Sequence, residues 1–204
     1  FACGWLLTMA FQNAVPVDVG DGIMHFYISQ ASWLKPELFL HHWGKPFFIL
    51  LSSGFAQFGL NGVVVFNVLV FFFTCLFAFK IADKKEISNW ITALFPLLLL
   101  QASDYTSTVL AGLTEPLFNL ALMASFLLFI HKKFLWFAVL VSLMPFMRSE
   151  GQLPLMLAVI MLIIHKQYRV LPFLASGFIV CLCRTNRLWR IFLVFYKKCL
   201  FHGQ

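Results

Sequence analysis

Seven runs without a charged residue, at about 1–15, 61–79, 88–103, 116–130, 134–147, 152–164 and 170–183, leave only short polar joints between them. Nothing else in the chain narrows the possible folds so far. Runs that approach the roughly 17–25 apolar residues needed to cross a hydrocarbon core of about 30 Å read as membrane spans, because a helix satisfies its own backbone polar groups there. Composition agrees. Hydrophobic residues make up 61% of the chain and charged ones 11%, against roughly 45–50% and about 25% in soluble domains. We expect an all-α fold, a polytopic membrane helix bundle with short helices lying at its outer face. Several runs are short for a full span and need tilt, or neighbours that bury their ends. A soluble domain behind a signal peptide does not fit this pattern. Cys3, Cys75, Cys181, Cys183 and Cys199 fall mostly within apolar runs and read as small apolar fillers.

The joints can be given sides. Lys80, Lys84, Lys85, Lys132, Lys133, Lys166 and Arg169 fall in alternate joints, opposed only by Asp83 and Glu86. Positive charge marks the cytoplasmic side. The other joints hold Lys35, Lys45 and Arg148 against Asp18, Asp21, Glu37, Asp104, Glu115 and Glu150, so the acidic stretch at 16–60 is expected to face away from the cytoplasm. The net charge of +7 sits on the cytoplasmic joints and the tail and does not point to nucleic acid.

Both ends depart from this order. The chain starts at Phe1, and only about a dozen apolar residues precede Gln12 and Asn13, too few for a span at about 1.5 Å per residue. We expect a missing N-terminal part, and a truncated membrane domain over 1–183. Segment 170–183 should run outward, yet Arg184, Arg187, Arg190, Lys197 and Lys198 follow it. Either 170–183 does not span, or the basic tail 184–204 is not the natural continuation.

The outer loop carries the chemistry. From Asp21 to Leu34 the apolar residues Ile23, Phe26, Tyr27, Ala31 and Leu34 recur at helical spacing, with Asp21, His25, Ser29 and Ser32 on the opposite face. That pattern predicts a helix over 22–33 lying along the membrane surface, its polar face turned to the space above the bundle. A second short helix is expected after Pro46. Asp18 and Asp21 also fit a plainer role as solvated loop or capping residues.

The order DGIMH at 21–25, HWGKPFFILL at 42–51 and FGLNG at 58–62 before a long span resembles the first outer loop and second span of class C glycosyltransferases. The likeness is to the bacterial branch related to the aminoarabinose transferases and protein O-mannosyltransferases, and it extends over roughly residues 10 to 180. LTEPLF at 113–118 and MRSEGQLP at 147–154 sit where the family has its next outer loops. Related enzymes often carry a second acid directly after the loop aspartate; here that position is Gly22.

The resemblance implies an integral membrane enzyme, multi-pass in the bacterial inner membrane. It would take a sugar from a polyprenyl-phosphate-linked sugar donor to a lipid, glycan or protein acceptor on the outer face. Asp21 matches the family's catalytic aspartate, with Asp18 as the substitute. Such transfer needs a base for the acceptor hydroxyl and a cation for the departing phosphate. Arg148 is the candidate phosphate clamp, expected within about 10–15 Å of Asp21 across one sugar phosphate, and Lys45 the second cation. His25, Glu150, Asp104 and Glu115 complete the candidate substrate-binding set. Arg148 also fits an interfacial anchor, Lys45 a turn, and Glu115 a helix start before Pro116. His41 and His42 could join Asp18 or Asp21 around a divalent cation, but adjacent histidines give no diagnostic ligand spacing, and no metal residue is assigned. Two other functions stay open: a transporter or channel subunit, or an inactive glycosyltransferase remnant.

Overall fold

The computed structural model describes residues 2–12, 20–41 and 43–182, and within them the fold is all-α. Ten helices follow in order: α1 (Ala2–Gln12), α2 (Asp21–Ala31), α3 (Pro46–Ala56), α4 (Leu60–Lys84), α5 (Asn89–Gln101), α6 (Ser103–Leu110), α7 (Glu115–Ile130), α8 (Phe134–Leu143), α9 (Gln152–Ile164) and α10 (Ser176–Leu182). Short 3₁₀ turns cover Pro36–Leu40, Met144–Phe146, Ser149–Gly151 and Tyr168–Ala175. Asp18, His42 and the basic tail lie outside the described residues.

α4 is the axis of the bundle. Its 25 residues extend about 37 Å, and among the described residues it is the one helix long and apolar enough by itself to cross a membrane; α6 and α7, bent by 111°, would together make a second. α5 and α9 have 13 residues and α8 has 10, about 15–20 Å each. Segment 170–183 is not one helix. Pro172 falls in it, and the chain passes as a 3₁₀ turn into the seven-residue α10, because proline removes a donor and its ring crowds the preceding turn.

Side-chain contacts fix the direction of each helix. Asn67, fully buried on α4, donates from Nδ2 to the carbonyl of Leu113 at 3.0 Å. This pins the start of α7 beside the N-terminal half of α4. There Gly112 takes φ +72 against Val63, a conformation that a side chain would strain. Further on, Met123 and Phe126 of α7 share a groove with Ala78 and Ala82 of α4, so the two helices run parallel. The ring of His165, after α9, packs 5.1 Å from Phe129 and 5.9 Å from Phe134. The joints holding Lys84, Lys132 and Lys166 therefore share one end of the bundle, the base. The turns after α6 and α8, with α2 and the start of α3, form the other.

The expected helix at 22–33 is present as α2, but its faces are reversed. His25, Ser29 and Ser32 are buried, whereas Met24, Tyr27 and Leu34 are exposed. Ser29 Oγ hydrogen-bonds Ser52 Oγ of α3 at 2.9 Å, and Ser32 Oγ donates to the Ser29 carbonyl at 2.7 Å. The hydroxyls are spent on helix packing, where small polar side chains allow close approach. Met24, Tyr27 and Leu34 are left outside, while Ile28 and Phe26 pack inward.

Candidate functional site

At the end opposite the cationic joints lies an open cavity of about 300 Å³. Four separate pieces of chain supply its polar walls. Asp21 and His25 come from the first turns of α2, and Trp43 and Lys45 from the turn before α3. Thr114 and Glu115 come from the start of α7, and Arg148, Ser149 and Glu150 from the turn between α8 and α9. Asp21 is exposed, while the His25 ring is buried 5.6 Å from the Phe48 ring. Lys45 precedes Pro46, which bars it from the helical region, and it takes φ 58 and ψ 101. Its Nζ donates to Ser149 Oγ at 3.2 Å, which ties the α3 turn to the α8–α9 turn.

Arg148 dominates the electrostatics. Its Nε and Nη2 donate to the two oxygens of Glu150 at 3.1 and 2.8 Å, and its Nη1 pairs with Glu115 Oε1. Those hydrogen bonds to Glu150, aided by the charge of Glu115 against the cost of burial, hold the guanidinium charged, its pKa raised. Glu115 also sits in the first turn of α7, where the helix dipole favours an anion. Its Oε2 is buried and receives no hydrogen bond among the described residues. Asp21, Glu115 and Glu150 face Lys45 and Arg148 across the cavity, so an anionic ligand has to exchange with a carboxylate on Arg148.

Hydrogen bonds from Arg148, then its own backbone N–H, lower the Glu150 carboxyl from 4.5 to about 2. A depressed acid contributes stability above its ordinary value and loses it as pH falls through the lowered one. The Arg148–Glu150 pair should thus survive acidification from about 4.5 to about 2. Carbon NMR of the labelled Glu150 carboxyl checks this, and titration near 4.5 would mean that the pair does not hold in solution.

The fold of this turn depends on Gly151, which is buried. A Cβ there would fall on the carbonyl group of Met144 and near the Pro145 nitrogen, so Gly151→Ala must separate the two 3₁₀ turns that carry Arg148. The expected loss is about 2–3 kcal/mol, read as a lowered melting temperature in detergent. An unchanged melt would show that the turns are not packed this tightly.

Asp104 does not join the site. It stands exposed in the first turn of α6, and nine residues separate it from Leu113, the first residue of that turn to line the cavity. The sharp α6–α7 bend directs it elsewhere. His41 lies outside the cavity and accepts from the Gly44 N–H at 3.4 Å through Nδ1. Among the described residues no three His, Cys, Asp or Glu side chains are grouped as metal ligands. Trp43, Thr114 and Ser149 were not singled out from the sequence. Each adjoins a residue that was, or lies two positions from one, and that adjacency was the only available signal.

The arrangement is a polar cavity of three carboxylates and two cations at one end of an apolar helical bundle. No family model, curated protein or solved structure matches the chain.

Proposed function

We propose that the chain is a multi-pass membrane domain of a glycosyltransferase. In this reading a sugar passes from polyprenyl phosphate to a hydroxyl of a lipid, glycan or protein, on the face opposite the cationic joints. One observation carries the proposal: Asp21, His25, Lys45, Glu115, Arg148 and Glu150, scattered over 130 positions of a chain poor in charge, line one cavity.

Membrane embedding is supported by the distribution of side chains. Phe58, Trp90, Leu98 and Ile164 are 83%, 85%, 66% and 69% exposed. Ser29, Ser52, Asn67, Thr74 and Ser142 are buried and hydrogen-bonded within the bundle. Apolar surface outside with these hydrogen-bonded side chains inside suits hydrocarbon as the surrounding medium. The stretches 61–79, 116–130 and 152–164 hold no charge, whereas conduits place ionisable groups near mid-membrane. That favours an enzyme working at the surface.

In the reaction the acceptor oxygen attacks the anomeric carbon and the bond from that carbon to the phosphate oxygen breaks. Asp21 takes the acceptor proton as general base. Arg148 receives the departing phosphate by exchanging Glu150 for it, since Glu150 is the more exposed of its two partners. Glu115 keeps Arg148 in place. Lys45 adds a second cation above Ser149.

The test is to embed the whole chain in phosphatidylcholine vesicles, offer polyprenyl-phosphate-linked hexose, pentose and aminopentose with their membrane extract as acceptor, and measure released polyprenyl phosphate. Release above empty vesicles with one donor is expected. No release with any donor from folded, embedded protein would contradict the proposal.

A further inference from the structure

The base of the bundle holds a second feature that sugar transfer does not use. α7 and α9 end alike, in Ile-His-Lys at 130–132 and 164–166. In each the histidine closes the helix and the lysine takes a left-handed conformation, φ 57 at Lys132 and φ 56 at Lys166. The hydrogen bonds correspond too. Lys133 and Gln167 donate back to Leu128 and Leu162 at 2.9 and 2.8 Å, and Lys132 and Lys166 to Phe129 and Ile163, both at 2.9 Å. Such a closing turn normally ends in glycine. His165, next to Lys166, packs on Phe134, next to Lys133, so the two turns are neighbours. Lys132, Lys133, Lys166 and Arg169 are all exposed, and among the described residues none has an ion pair. The α4–α5 joint closes with the same left-handed turn, φ 56 at Glu86, and differs in charge, because Asp83 and Glu86 offset its lysines.

Directly above these turns, α7, α8 and α9 enclose an apolar groove of about 340 Å³. It runs from Phe129 and Met161 near the base to Leu122 and Pro154, about 10 Å along the helices. Its one polar side chain, Ser125, donates to the Leu122 carbonyl at 2.8 Å and is satisfied. The groove therefore suits a hydrocarbon chain and no headgroup. The four cations lie in the turns that follow α7 and α9, beyond Phe129 and Met161 at its basal end, and suit an anion. A second copy of this chain would bring the same cations, and the tail beyond 183 contains no acid and five basic residues; both are repelled.

We propose that this groove and the paired lysine turns bind an anionic glycerophospholipid, with an acyl chain between α7 and α9 and the phosphate diester against Lys132 and Lys166. The proposal rests on the membrane reading and not on sugar transfer. Each basic residue near an anionic lipid surface favours it about fivefold.

The experiment measures lipid retained by the whole chain, by native mass spectrometry from micelles containing phosphatidylglycerol and phosphatidylcholine. Wild type is expected to prefer phosphatidylglycerol on the order of twentyfold, about fivefold for each of the two lysines. Lys132→Gly with Lys166→Gly should lower that preference on the order of tenfold, yet raise the melting temperature in phosphatidylcholine nanodiscs, because glycine relieves the left-handed strain. Loss of binding in a more stable protein cannot be unfolding. Lys84→Gln with Lys85→Gln should keep the preference. The proposal is overturned if the double glycine variant retains the preference, or if the α4 variant loses as much. It also fails if glycerophosphoglycerol, the headgroup without chains, competes as well as the lipid. Protein that carbonate strips from vesicles of both lipids would overturn the membrane reading along with the site, whereas embedded protein without lipid preference overturns the site alone.

Discussion

If the proposed sugar transfer uses Asp21 as its base, Asp21→Asn is expected to slow it by about 10²–10⁴-fold, the usual cost of removing a general base, and to leave the bundle standing. The two effects separate because of where Asp21 lies. It is exposed in the first turn of α2, and its carboxylate carries no ion pair among the described residues, so asparagine disturbs little packing. What it gives up structurally is the attraction of a carboxylate to a helix N-terminus, about 0.3–1 kcal/mol. Release of polyprenyl phosphate and the melting temperature, measured on the same preparation, check both halves. A loss of transfer matched by a large loss of stability would make Asp21 a structural residue. Asp18→Asn is the comparison: transfer lost there and kept in Asp21→Asn would put the base one helical turn earlier.

Arg148→Gln weakens binding of polyprenyl phosphate by about 10²-fold, because two charge-assisted hydrogen bonds to the phosphate are lost at about 1.5–3 kcal/mol each before compensation. Glu150→Gln acts in the opposite direction. Glu150 occupies the Nε and Nη2 edge of Arg148, and removing its charge frees that edge, so binding should tighten several-fold. An anchor that merely points to lipid headgroups predicts no such opposition. Equilibrium binding to the three proteins decides between them, and a weaker Glu150→Gln would mean that this carboxylate does not compete with the ligand.

Much of the helical order was legible because proline, glycine and charge punctuate it. Pro46, Pro116 and the Lys132–Lys133 pair mark where α3, α7 and α8 begin. The direction of α2 was not legible. Its polar and apolar faces are clear in the sequence, but which face turns inward depends on whether the surroundings are water or hydrocarbon, and on Ser52 of α3, 23 residues from Ser29. The cavity residues could be gathered from the sequence because the joints that carry them alternate in side. Asp104 belongs to such a joint too, yet the 111° bend between α6 and α7 takes it away, and no local pattern announces that bend. The fork of Arg148 between Glu115 and Glu150 was hidden as well, since it needs residues 33 positions apart to meet.

The central claim is that the cavity beside Asp21 and Arg148 receives the lipid phosphate. Photocrosslinking tests it without requiring turnover. Trp43 lines the cavity and is 54% exposed, and Trp90, 85% exposed, stands at the start of α5 near the base. Each is replaced in turn by p-benzoylphenylalanine and irradiated with radiolabelled polyprenyl phosphate in phosphatidylcholine nanodiscs. The account predicts label at position 43, displaced by unlabelled polyprenyl phosphate and reduced by Arg148→Gln, with little at position 90. Equal labelling at the two positions, or labelling at 43 that neither competitor nor Arg148→Gln changes, would contradict it.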